Sequence, residues 1–112
     1  MTRTEEKKLI QKALNGNESA FSTLYETYRP NVIGVVKRRA QDPDVVDDLI
    51  QQTFIRAFRS LPQFRGDSAF GTWITRIAIN VCLSHKRSES IRKNWMDLLE
   101  DLEYAKAAVS DA

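Results

Sequence analysis

The chain has one cysteine, Cys82, and one histidine, His85. An intrachain disulfide is therefore impossible, and a metal site would lack the usual set of cysteine and histidine ligands. Such sparse cysteine usage is typical of a reducing compartment. We therefore expect a cytoplasmic protein that holds neither a metal nor another cofactor.

Glycine and proline are also scarce, with four and three residues in 112. Their scarcity favours long helices over a turn-rich sheet protein. No apolar run approaches the ~20 residues that a membrane helix needs. The first eight residues are polar and charged, so we expect neither a signal peptide nor membrane insertion.

Motifs that carry catalysis are missing as well. The sequence contains no glycine-rich phosphate loop and no HExxH pair. His85 stands next to Lys86 and Arg87, with no nucleophile matched to it along the chain. We therefore predict that the protein is not an enzyme and has no catalytic or metal-binding residues.

What is present is helical periodicity. With 42% hydrophobic and 29% charged residues, the composition suits one ordinary globular domain. Apolar residues at spacings of three and four predict four helices and no strand, so the fold class is all-α, a compact helical bundle. The helices are expected at roughly 4–14, 18–40, 43–61 and 69–87. Pro30 should kink or divide the second of them.

The last part of the sequence is harder to place. Trp95, Leu98, Leu99 and Leu102 recur at helical spacing among acidic residues, which indicates a fifth C-terminal helix. We divide the chain into a domain at 1–90 and a linker or tail at 91–112. The apolar residues of the tail could begin a linker, pack on the bundle or pair with another copy, and our hypothesis is an amphipathic helix packed on the bundle.

The outward face of the third helix does not look like a plain solvated surface. At about 100° per residue, Asp48, Gln51, Gln52 and Ile55 fall opposite the apolar stripe. An exposed isoleucine with a polar rim resembles a small protein-binding patch. The alternative is a solvated helix face with one stray apolar residue, which is common.

A second candidate surface combines the fourth helix with the connector before it, residues 63–68. Arg76, Asn80 and Arg87 form an outward stripe suited to phosphates and base edges, or else a merely solvated one. Gly66 permits a tight turn, and Asp67 or Ser68 can cap the fourth helix. Aromatic, cationic and small polar residues in such a loop can hold an unpaired base. The alternative is a capped turn with its two phenylalanines, Phe64 and Phe70, in the core.

Four stretches in order resemble one family. They are Gly16–Phe21, Asp47–Phe54, Phe64–Phe70 and Trp73–Asn80. Together they are similar to conserved region 2 of the extracytoplasmic-function (ECF) RNA polymerase sigma factors, over about residues 7 to 88. The resemblance implies a sigma factor domain for transcription initiation that binds core RNA polymerase and single-stranded promoter DNA. It also implies an anti-sigma partner.

The resemblance assigns roles by position. Asp48, Gln51 and Gln52 would face the clamp helices of the polymerase beta-prime subunit, and we infer that Ile55 supplies the apolar centre. The loop would capture a base flipped from the non-template strand of the minus-ten element, and Asn80 would contact that base or its neighbour. Arg76 and Arg87 would hold the backbone. The predicted DNA-binding residues are Phe64, Arg65, Gly66, Asp67, Ser68, Arg76, Asn80 and Arg87.

Some features depart from the family. Nothing after Arg87 resembles the family's second DNA-binding domain, region 4, so we expect that domain to be absent here. Gly71 lies inside the fourth helix, where glycine costs about 1 kcal/mol relative to alanine. It would let DNA or a neighbouring helix approach closely. A helical protein-binding adaptor, or another DNA-binding regulator, remains the alternative function.

Overall fold

The computed structural model describes residues 1–110, with side chains to residue 108. Its helices are α1 (Arg3–Leu14), α2 (Glu18–Arg39), α3 (Pro43–Ser60) and α4 (Phe70–Ser110), with one 3-10 turn (Leu61–Gln63) before α4. The described chain contains no strand. The all-α prediction is therefore confirmed.

Most helix ends lie where short polar residues and glycine place them. Thr2 and Glu5 form a capping box at the start of α1, and Asn17 Oδ1 accepts the Ala20 amide at the start of α2. Asp42 caps α3 by accepting the Asp44 amide at 2.9 Å, with Pro43 as the first helical residue. Gly16, at φ +89°, follows the end of α1 in the left-handed region that glycine favours.

Helix α2 runs through Pro30 without a break, so of the two predicted outcomes, a kink or a division, the division is excluded. Pro30 lies at an exposed position. Leu24 before it and Val32 and Val36 after it are fully buried. Burial on both sides of the proline holds the two halves in one helix despite the missing backbone donor.

Two units make up the described chain, and the first ends at Cys82. In this unit, α1, α2, α3 and the first turns of α4 enclose one apolar core. Its largest fully buried apolar side chains are Phe70, Leu24, Leu49, Leu61, Ile74, Val32, Val36 and Val81. These come from every helix but α1, which contributes Ile10 and Ala13.

The second unit begins at Leu83 and is helical as far as it is described. A separate fifth helix was predicted, and this is wrong, because α4 is assigned without interruption to Ser110. The apolar residues of the predicted fifth helix are exposed, Trp95 among them at 61%. Within the described residues, no helix combines the length and apolar character that crossing a membrane requires.

Candidate functional site

The connector makes a tight turn after the 3-10 turn. Gly66 has φ +78°, so the predicted turn at this glycine is confirmed. On either side of it, Arg65 Nε and Asp67 Oδ2 lie 3.9 Å apart with both side chains 83% exposed. A pair this exposed contributes little to stability. Both charges are therefore available to a ligand.

Aromatic rings hold the connector against the start of α4. The Phe64 ring lies 5.7 Å from that of Phe70 and 5.0 Å from that of Trp73, centroid to centroid. Phe70 is fully buried and also packs on Tyr28 of α2 at 4.9 Å. Phe70 is thus a core residue, as expected if the connector is a capped turn with its phenylalanines in the core. Phe64 and Trp73 are only half-buried.

The turn encloses one side of a cavity of about 300 Å³. Its lining is mixed: an aromatic wall, a cation and the polar groups of the turn, contributed by Gln63, Phe64, Arg65, Gly66, Asp67, Ser68, Trp73 and Arg76. The cavity therefore unites the predicted connector residues with Arg76. Gln63 and Trp73 were not among the predicted site residues.

The remaining predicted DNA-binding residues are exposed but do not line this cavity. Asn80 lies one helical turn beyond Arg76 on the same outward stripe of α4, about 6 Å along the axis. Arg87 belongs to the second unit and is exposed. The roles given to these two residues stay predictions.

A buried carboxylate from α1 fixes the start of α4. Glu6, 5% exposed, accepts from Tyr28 Oη at 2.6 Å and from the Phe70 amide at 3.2 Å, both through Oε1. The acceptor at the first amide of α4 is therefore Glu6, not Asp67 or Ser68 as the sequence predicted. A carboxylate suits this place because a helix N-terminus carries free donors and partial positive charge.

Arg3 extends this contact to the connector. Its Nη2 donates to the Gly66 carbonyl oxygen at 2.9 Å, and its Nε lies 3.7 Å from Glu6 Oε2. Helix α1 thus holds both the turn and the helix that follows it. The burial of Glu6 could have been predicted from the sequence, because Glu6 shares a helical face with Ile10 and Ala13, both buried.

The same contact shifts an ionisation. Burial raises the pKa of Tyr28, and the hydrogen bond and charge of Glu6 raise this pKa further. A tyrosine whose pKa is higher in the folded state stabilises the fold fully below its ordinary pKa of about 10, and this stability is lost as pH rises beyond that. We expect the free energy of unfolding to fall more steeply above about pH 10 in the wild type than in Tyr28→Phe. Urea titrations of both proteins at a series of alkaline pH values measure this difference; parallel curves would contradict it.

Gly71 allows α2 and α4 to approach closely. A Cβ on Gly71 would lie 3.2 Å from Tyr28 Cε1, closer than most such contacts. A neighbouring helix, rather than a ligand, is therefore the group that this glycine accommodates in the structure.

The outer face of α3, formed by Asp48, Gln51, Gln52 and Ile55, is exposed as predicted. Ile55 is 52% exposed, whereas the nearby Ile50 and Phe54 are buried. Gln52 Nε2 donates to Asp48 Oδ2 at 2.6 Å, so two members of the face are held together. The surface is an apolar spot within a polar rim.

A cavity of about 320 Å³ lies beside Ile55 on this face. Besides Gln52 and Ile55, its lining includes Arg56, Arg59 and Ser60. Arg56 was not singled out from the sequence. A partner at this surface would therefore meet two guanidinium groups as well as the amides and the isoleucine. No cluster of three or more His, Cys, Asp or Glu side chains in the described part of the chain is arranged to hold a metal ion.

Comparison with known proteins places the chain in a family. Residues 24–92 match the family model described as sigma-70 region 2. The chain is 35% identical over 105 residues to the RNA polymerase sigma-H factor of Pseudomonas aeruginosa, a match covering 93% of this chain and 54% of that protein. It is 39% identical over 90 residues to the ECF RNA polymerase sigma-E factor of Escherichia coli, covering 80% of this chain and 47% of that protein.

A solved structure agrees in fold. It is an NMR structure of an engineered region 2 of sigmaE in complex with GTAAAA, with a TM-score of 0.71 and 30% sequence identity. The match covers 82% of this chain and 93% of that one. The chain belongs to the sigma-70 region 2 family, and it spans about half the length of the curated relatives that it matches.

Proposed function

We propose that this chain is a transcription-initiation domain that binds core RNA polymerase and the promoter minus-ten element and catalyses no reaction. It captures a base flipped out of the non-template strand. The connector cavity is the observation that carries this proposal, because one turn and one helix supply aromatic, cationic and polar groups to the same space. The sigmaE region 2 relative, described in complex with GTAAAA, supports it.

The cavity suits one nucleobase. Its volume of about 300 Å³ is at the lower end of the range for small-molecule sites. Trp73 is half-buried and so offers part of its ring for stacking, while the exposed Arg65 and Asp67 can hydrogen-bond to base edges. Arg76 also lines the cavity and is exposed, so it can pair with a backbone phosphate.

A cavity for an extruded base is consistent with the physics of promoter opening. A protein that hydrolyses no nucleotide can favour open DNA only by binding the open form better than the closed form. Extruding a base costs a few kcal/mol of stacking and pairing. Binding the extruded base offsets this cost, and the positive charges of Arg76 and Arg87 each add salt-dependent, sequence-independent affinity.

The outer face of α3 is the proposed polymerase surface. Asp48, Gln51 and Gln52 would contact the clamp helices of the beta-prime subunit, with Ile55 at the centre. The exposed isoleucine within a hydrogen-bonding rim supports this assignment, because an apolar anchor of this kind is typical of binding hot spots. An anti-sigma factor that covers this face would block polymerase binding.

Strand preference tests the DNA half of the proposal. We expect the chain to bind the single-stranded hexanucleotide GTAAAA more tightly than the corresponding duplex, measured by fluorescence anisotropy at fixed salt. Asn80→Ala should weaken single-strand binding about tenfold, since a base contact contributes about 1–3 kcal/mol. Asn31→Ala, an exposed asparagine on α2, is the matched control. A preference for duplex would indicate another kind of DNA-binding regulator, and no DNA binding would indicate a protein adaptor.

A pull-down with a beta-prime clamp-helix fragment tests the polymerase half. The double variant Asp48→Ala with Gln51→Ala should lose most of the binding seen with the wild type. Glu26→Ala with Asn31→Ala removes the same kinds of group from exposed positions of α2 and should bind normally. Undiminished binding by the α3 variant would remove this surface from the proposal without affecting the DNA half.

A further inference from the structure

A row of large apolar side chains is exposed on the second unit of the chain. Ile91, Trp95, Leu98 and Leu102 are between 46% and 61% exposed. They follow one another at spacings of four, three and four residues along α4. We call these four residues the α4 seam.

The spacing of the seam is that of a coiled coil. Alternating steps of three and four place apolar residues on one narrow stripe, which buries itself by knobs-into-holes packing against a second helix. An exposed helix gains little stability from propensity alone, because most helical stability in proteins comes from packing of an apolar face. Large contiguous apolar surface on a soluble chain indicates a partner.

Charge divides the seam into two halves of opposite sign. From Ile91 to Trp95 the helix carries Arg92 and Lys93 and no acidic residue. After Trp95 it carries Asp97, Glu100, Asp101 and Glu103. Two copies aligned in parallel would place like charges alongside each other, whereas two antiparallel copies place the basic half against the acidic half.

The spacing of the apolar residues in the seam is the same in both chain directions. Steps of four, three and four from Ile91 to Leu102 remain four, three and four from Leu102 to Ile91. An antiparallel second copy therefore matches it layer by layer. Trp95 meets Leu98 of the second copy, and Ile91 meets Leu102 of the second copy.

We propose that the α4 seam is a self-association surface, through which two copies of this chain form an antiparallel coiled coil. The proposal rests on the spacing, exposure and charge of residues 91–103 and is independent of the proposed DNA and polymerase contacts. Because attraction between the two halves contributes, the dimer should weaken with added salt.

Sedimentation of residues 1–112 over a concentration series tests the association. The wild type should show a monomer–dimer equilibrium. Leu98→Lys should raise its dissociation constant by more than about tenfold, because each dimer loses two buried leucines. Met96→Lys adds the same charge two residues away at an exposed position off the seam, and it should leave the equilibrium nearly unchanged. A wild type that stays monomeric up to about 1 mM would overturn the proposal.

Cysteine cross-linking tests the orientation. In a Cys82→Ala background, Ile91→Cys combined with Leu102→Cys should give disulfide-linked dimers on mild oxidation, whereas Ile91→Cys alone should not. The two cysteines of one chain cannot pair, because eleven residues of helix separate them by about 16 Å. Cross-linking by Ile91→Cys alone would show a parallel pair and overturn the antiparallel arrangement.

Discussion

Glu6→Ala is expected to lower the free energy of unfolding by about 2–4 kcal/mol. The Glu6 carboxylate is the acceptor for both Tyr28 Oη and the Phe70 amide. Alanine leaves these two donors without that partner, and a buried donor without an acceptor costs about 1–3 kcal/mol. The amide lies at a helix start, where a negative charge is also favourable.

Two further variants sharpen this test. Glu6→Gln keeps an oxygen that can accept both hydrogen bonds, although it removes the charge and the second oxygen that faces Arg3, so it should cost less than Glu6→Ala. Glu26→Ala, at an exposed position of α2, should change stability by no more than about 0.5 kcal/mol. Urea unfolding followed by circular dichroism measures all three. If Glu6→Ala proves as mild as Glu26→Ala, the carboxylate does not hold α4 in the way described.

The helix ends were the most predictable part of the fold. Asp42 and Pro43 start α3 for two reasons. The Asp42 side chain accepts a hydrogen bond from a backbone amide that has no partner within the helix, and Pro43 has no amide hydrogen that would need a partner. The position after the end of α1 has φ +89°, a backbone conformation that is costly for other residues, and glycine, Gly16, occupies it. Local chemistry of this kind acts over a few residues and can be read from the sequence alone.

The two differences between the predicted and observed helix boundaries have different causes. Pro30 was expected to kink or divide α2, and α2 is not divided because burial of residues on both sides of Pro30 outweighs the local cost; burial depends on the rest of the fold. The predicted break near residue 88 ignored a local signal, because no glycine or proline follows Gly71 in the sequence. Because such a residue is missing, no helix-breaking signal ends α4 near residue 88.

The site was predictable as a set of residues but not as a cavity. Helical spacing placed Arg76 and Asn80 on one stripe, and the turn at Gly66 followed from its residue type. That Gln63 and Trp73 join the lining depends on how Phe64 packs against α4. The Glu6 contact joins residues 64 positions apart, and no local pattern reports such a pairing.

The two proposed binding surfaces arise from different kinds of structure. The outer face of α3 lies on one regular helix, and its shape needs only that α3 be folded. The connector cavity depends on a turn that α1 holds through Arg3 and that the aromatic rings brace. Changes to the turn should therefore alter DNA binding while leaving polymerase binding unaffected.

Gly66→Val is the sharpest such change, and we expect it to weaken binding of single-stranded GTAAAA by more than about tenfold. Gly66 has φ +78°, where a β-branched residue costs roughly 1–2 kcal/mol or more. Space is not the obstacle, since an added Cβ would meet only Lys7 Cε, at 3.8 Å. The turn should relax to another conformation, which displaces Arg65 and Asp67 from the cavity and removes the Gly66 carbonyl from Arg3.

Gly66→Asn separates backbone conformation from side-chain bulk. Asparagine tolerates the left-handed region, so this variant adds a side chain but keeps the turn, and it should retain most of the affinity. Fluorescence anisotropy with the same hexanucleotide measures both variants, and the clamp-helix pull-down should remain normal for both. Equal losses in the two variants would mean that any side chain at this position obstructs DNA. If Gly66→Val binds as tightly as the wild type, the conformation of the turn does not contribute to binding. The base site would then have to lie elsewhere on the chain.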